Sequence, residues 1–149
     1  MPGRRAIPSR TTPKPRLGAR SPVLSPRLVQ RIVRAVIAGE RREAVVQVTF
    51  LGPARMRQLN LRWKGHDRPT DVLAFALPHP DRALFGDVYI CGAQARRQAR
   101  DLGIAEREEL IRLVVHGTLH VLGRDHPEGP GRTRSAMWRR QERYVRALA

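Results

Sequence analysis

The chain has 149 residues, with 29 lysines and arginines against 13 aspartates and glutamates, a formal net charge of +16 and a sequence pI near 11.8. That length suits one domain with one sizeable core, and the charge calls for a polyanionic partner, nucleic acid first, with a surface kept basic only for solubility as the alternative. Cys91, the single cysteine, excludes an internal disulfide and a cysteine-based zinc site, while the absence of any apolar run near the roughly 18–20 residues of a bilayer span, or of a secretory core, predicts a cytoplasmic protein with no membrane partner.

Residues 1–22 are rich in arginine, proline and serine and hold no acidic residue. They cannot bury enough apolar surface to fold alone, and the prolines at 2, 8, 13, 15 and 22 break any amphipathic helix of the transit-peptide kind. A disordered basic tail is expected at 1–22, ahead of a folded domain at 23–149. Ser25 before Pro26 starts a helix, and Leu28, Ile32, Val33, Val36 and Ile37 recur at helical spacing until Gly39. Ala44–Leu51 (AVVQVTFL) is β-branched and apolar, as a buried strand requires. Pro53 opens a second helix carrying Met56 and Leu59.

From Leu59 the chain reads LNLRWKGHDRPTDVLAFALP, with Gly65 and Pro69 turning it before a short strand at Val72–Leu77. Lys64, His66, Asp67, Arg68, Thr70 and Asp71 crowd the intervening loop. Its cations and hydroxyls suit phosphate contact, and Thr70 or Asp71 equally suits the closing of a turn. Residues 78–85 read as a surface loop and 86–90 (GDVYI) as a strand begun by Asp87. Helices are expected over 93–102 and 105–122, the second opening with Glu106, Glu108 and Glu109 where the helix dipole favours anions. After a glycine-rich turn, Thr133 is expected to cap a last helix containing Met137, Tyr144, Val145 and Leu148. The order of elements predicts an α+β single domain, its helices packed on one small mixed β-sheet, with no internal repeat.

The chemistry concentrates in residues 113–126, LVVHGTLHVLGRDH. Residues four apart lie about 40° apart around a helix and roughly 6 Å along it, so His116 and His120 share a face. Gly123 can end the helix in a left-handed cap, and His126 can then approach the same point from a loop. Three neutral imidazoles suit zinc, one ion per chain, and leave a fourth position for water. With no carboxylate among the three, the ion keeps its charge and acidifies that water strongly. A single histidine on an apolar face is more often a core residue, but three at this spacing make a metal site. Metallopeptidases carry a glutamate as general base after the first histidine, and here that position is Gly117. Glycine inside a helix costs about 1 kcal/mol against alanine, so either backbone, ion or substrate comes close there or the glycine is a tolerated packing residue.

HGTLHVLGRDH, LNLRWKGHDRPTDVLAF and LFGDVYI, in this order and separation, resemble the YbeY endoribonuclease family over roughly residues 24–146. The resemblance implies a zinc-dependent, single-strand-specific RNase that matures the 3′ end of small-subunit ribosomal RNA and serves ribosome quality control. It assigns His116, His120 and His126 as zinc ligands, and matches Asp125, Thr70, Asp71 and Asp87 to family positions of supporting roles. Asp125 can orient a histidine or cap a turn. Three departures stand out. Lys64 replaces an arginine proposed to contact the scissile phosphate, which keeps the charge but loses the bidentate fork. Ala74 replaces a serine, and Arg124 replaces a tyrosine and adds a cation near the metal.

The resulting expectation is hydrolysis of single-stranded RNA at the histidine-held zinc, with Lys64 stabilising phosphate charge and Arg62, Arg68 and Arg124 as further phosphate contacts. The nucleophile is either water or the ribose 2′-hydroxyl. Two rivals stand beside it. One is a non-catalytic RNA-binding ribosome-assembly factor whose zinc is structural, with His66 or His79 completing the cage. The other is a peptidase or amidase using a base such as Glu128.

Overall fold

The computed structural model describes residues 23–77, 84–127 and 129–149. The tail expected at 1–22 and most of the loop expected at 78–85, together with His79 and Glu128, lie outside those residues. The elements run α1 Pro26–Gly39, β1 Ala44–Leu51, α2 Pro53–Lys64, β2 Val72–Leu77, β3 Leu84–Cys91, α3 Gly92–Leu102, α4 Glu106–Val121, a 3-10 turn at Gly129–Arg134 and α5 Ala136–Leu148.

Local chemistry sets most of these limits. Ser25 Oγ accepts the Leu28 N–H at 3.2 Å and Pro26 occupies the first turn of α1, where its missing N–H is not needed. The apolar stripe of α1 buries Val29, Ile32, Val33 and Val36. In the sheet, β3 lies between β1, with which it pairs in parallel, and β2, with which it pairs antiparallel. Alternation along β3 sends Val88 and Ile90 to the main core and Tyr89 and Cys91 to a smaller cluster with Met56 and Leu73, beneath α2. The α+β class with helices on one small mixed sheet is thus as the sequence predicts.

The centre of the main core is α4. It is apolar on nearly every side, and α1, α3, α5 and the sheet all pack against it. Its approach to β3 depends on two glycines. A Cβ on Gly117 would overlap Val88, and one on Gly86 would overlap Val121. Gly117 therefore answers to close packing of helix on strand.

Two limits differ from expectation. β3 begins at Leu84, because Leu84 and Phe85 pair with Ala44 and Val45 on one side and Phe85 with Leu77 on the other. Asp87 consequently sits inside the strand, opposite Gln47 and Phe75, and does not begin it. At the C-terminal end, Gly129 and Pro130 open a 3-10 turn that contains Thr133, so Thr133 caps nothing. Ser135 supplies the next hydroxyl, accepting the Trp138 N–H at 3.1 Å to cap α5.

Candidate metal centre

His116 and His120 occupy the last turns of α4, and the helix ends one residue after the second, at Val121. The stop is chemical. Gly123 takes φ +90°, its N–H donates to the His120 carbonyl at 3.0 Å, and the Arg124 N–H donates to the Leu119 carbonyl at 2.9 Å. This left-handed cap turns the chain back across the helix end and delivers His126. Asp125 Oδ1 accepts the His126 N–H at 2.8 Å and closes the turn, the second of its two expected roles.

The three rings converge, with centroids 4.6 Å apart for His116 and His120 and 5.1 Å from each to His126. One nitrogen from each lies within 4.8 Å of the others. The donor set fits zinc by its tautomers. His116 Nδ1 lies 2.6 Å from Gln141 Oε1, and His126 Nδ1 lies 3.0 Å from the Pro127 carbonyl. Both partners only accept, so each Nδ1 carries the proton and each Nε2 keeps a lone pair for a metal.

Burial favours the neutral imidazole at His116 and at His120, as ligation demands. Burial pushes His116 down to about 4, against the opposing hydrogen bond of Gln141, and the charges of His120, Arg132 and His126 push the same way. Burial also lowers His120, helped by His126, Lys64 and Arg132 and opposed by Asp125.

Lys64 ends α2 beside Gly65, is exposed, and is close enough for its charge to act on His120. Arg62 lies over the Trp63 ring at 5.5 Å, Arg68 lends its carbonyl to Asn60 Nδ2 at 2.8 Å, and Arg124 pairs with Glu40 at 3.1 Å. Thr70 and Asp71 form a joint. Asp71 Oδ1 accepts from Thr70 Oγ1 and from the Val72 N–H, its Oδ2 accepts from Gln98 Nε2 at 3.1 Å, and its carbonyl accepts the Cys91 N–H at 2.8 Å. They fasten the start of β2 to the end of β3 and to α3. Asp67 is taken by Arg57 at 2.7 Å, and the exposed His66 takes part in the cap of α2 through its backbone.

Sequence reasoning missed two residues beside the histidines. Gln141 stands on the buried stripe of α5 with Met137 and Val145, and a polar residue in that stripe was the available signal. Arg132, in the 3-10 turn, gave none. Beside the 123–125 loop opens a cleft of about 870 Å³, lined by Arg124, Asp125, Trp138, Arg139, Arg143 and Arg146 among others. None of the three histidines lines it, so it borders the candidate centre and does not contain it.

Comparison with known proteins follows the same residues. A family model described as Endoribonuclease YbeY matches residues 23–149. An endoribonuclease YbeY of Desulfitobacterium hafniense is 43% identical over 129 residues, which cover 79% of this chain and 80% of that protein. One of Persephonella marina is 40% identical over 85 residues, 54% of this chain and 56% of that protein. The solution structure of TM1509 from Thermotoga maritima is similar with a TM-score of 0.59 and 30% sequence identity, over 80% of this chain and 78% of the other.

Proposed function

The chain belongs to the YbeY endoribonuclease family, and from that premise we propose that it is a zinc-dependent, single-strand-specific endoribonuclease. Its proposed substrate is ribosomal RNA, cut near the 3′ end of the small-subunit molecule and in the quality control of that subunit. The observation that carries the reading is the convergence of His116, His120 and His126, with the tautomers of His116 and His126 fixed by Gln141 and Pro127.

Zinc, when bound, supplies a Lewis acid for a phosphoryl oxygen and acidifies water. The chain's own residues do the rest. His116, His120 and His126 would hold one ion, with no carboxylate among them. Lys64 brings an ammonium toward His120, where it offsets charge on the phosphate. Asp125 sets the loop that aims His126, and Asp71 with Thr70 holds the sheet end that faces α3. A structural zinc would need a fourth protein ligand, and among the described residues the cluster holds three. The gap after His116 where a peptidase keeps its glutamate is filled by Gly117, which packs on Val88.

The test compares metal-loaded protein with His120→Ala on a labelled single-stranded RNA, with metal content measured for both. Cutting by the first alone, with metal lost from the second, is the expected result. RNA binding without cutting by either would replace the nuclease with an assembly factor. A 2′,3′-cyclic phosphate on the product marks attack by the ribose hydroxyl, and its absence at the earliest times marks attack by water.

A further inference from the structure

Two partly buried arginines of the described residues have opposite surroundings. Arg112 is enclosed by Glu108, Glu109 and Glu142, at 2.8, 3.0 and 2.9 Å. Arg132 has no carboxylate partner among the described residues, and its Nε is buried with no hydrogen-bond acceptor. A buried N–H is normally paired, and a charged one even more so. The missing acceptor is therefore the informative feature.

Arg132 is also held in place. Its carbonyl accepts the Ser135 hydroxyl at 2.8 Å and the Ser135 N–H at 3.2 Å, which pins its backbone to the cap of α5. Its guanidinium lies over the Trp138 ring at 5.8 Å. Its charge acts on His116 and on His120, so it stands beside the histidine cluster, on the side of α5. A planar donor stacked on Trp138, with a buried N–H unpaired and its charge felt by the histidines, lacks only an anion that can meet both it and a bound metal.

We propose that Arg132 is a phosphate-binding group of the histidine centre, its guanidinium donating to the non-bridging oxygens of the scissile phosphate. The assignment to a scissile phosphate rests on the nuclease reading above; the assignment of an anion site does not. Lys64 and Arg132 then approach the phosphate from different elements, α2 and the 3-10 turn. Lys64 contributes a point charge and Arg132 contributes direction.

The experiment uses the full-length, zinc-loaded chain and inorganic phosphate as the probe. The Arg132 Nε–H signal, assigned by its loss in Arg132→Lys, is followed by NMR during a phosphate titration, and zinc content and melting temperature are measured for wild type, Arg132→Lys and Arg132→Met. A saturable shift of that signal is expected, with phosphate affinity at least about tenfold weaker in Arg132→Met and intermediate in Arg132→Lys, zinc being retained in both. On single-stranded RNA, kcat of Arg132→Met should fall by about 10²-fold with a much smaller change in KM, as for loss of one donor to a developing oxyanion. An Nε–H signal unmoved at high phosphate, or a zinc-loaded Arg132→Met that keeps wild-type phosphate affinity, would overturn the proposal. Should Arg132→Met fail to fold, the titration and Arg132→Lys decide it. If the wild type binds phosphate through Arg132 yet cuts no RNA, the anion site stands and the nuclease reading falls.

Discussion

His116 is 5% exposed and its ring is held neutral by burial, which ties metal readiness to acid stability. In the unfolded chain this imidazole titrates near 6.5, and in the folded, metal-free protein only near 4. Above 6.5 both states are neutral and the group is without effect. Between 6.5 and 4 the unfolded state binds the proton and the folded state does not, so stability falls as pH falls, by about 3 kcal/mol across that window. Urea unfolding of chelator-treated protein should show this loss, reduced in His116→Gln; an undiminished loss in that variant would place the proton elsewhere. Gln141 makes the companion prediction. Gln141→Leu strands the His116 Nδ1–H in the core and frees the ring to turn, so zinc affinity should drop about 10- to 100-fold. Gln141→Glu keeps an acceptor and should bind zinc at least as tightly as wild type. Competition against a chromophoric chelator measures all three proteins, and equal affinity for the leucine variant would remove Gln141 from the site.

The helix that bears two of the clustered histidines is placed by glycine contacts at both ends of its crossing with β3, Gly117 on Val88 and Gly86 on Val121. Gly117→Ala should cost about 1–3 kcal/mol through overpacking and, because His116 is its neighbour, should also weaken zinc binding. Val88→Ala in the same chain should restore most of the melting temperature. If Gly117→Ala melts like wild type, the close approach of α4 to β3 is not what the glycine serves. The sequence could show a glycine beside a ligand but not which partner came near, because Val88 lies 29 positions away on another element. The same division runs through the fold. Ser25, Pro26, Pro53, Gly65 and Gly123 write their turns and caps locally, and α1, β1, α2, β2 and the end of α4 were legible from them. The start of β3 was not, since Leu84 and Phe85 become strand only by pairing with β1 and β2. Gln141 and Arg132 became site residues only when α5 and its preceding turn docked against α4, and the histidine spacing carried no trace of that.

At the scale of the molecule, one acidic side chain joins the end of α1 to α5 and to the loop that carries His126. Glu40, whose carboxylate side chain is 2% exposed, accepts from Arg124 at 3.1 Å, from Arg140 at 2.8 Å and from the Tyr144 hydroxyl at 3.1 Å. That neutralisation is local. Arg139 and Arg143, on the exposed side of α5, line the cleft beside the loop with Trp138 and are left to face a polyanion. RNA bound there would release counterions. Each phosphate neutralised on a single strand contributes a slope of about −0.7 to log K against log salt. Removing two contacts, in Arg139→Ala with Arg143→Ala, should therefore flatten that slope by about 1.4 and raise KM for single-stranded RNA most at low salt. The effect should spread evenly over RNA sequences, since phosphate contacts position a strand without reading it. Fluorescence anisotropy with a labelled oligonucleotide across a salt series measures the slope directly. A slope equal to that of wild type would show that the strand leaves Arg139 and Arg143 untouched, and would move the arginines of α1 and α2 to the front of the search for its path.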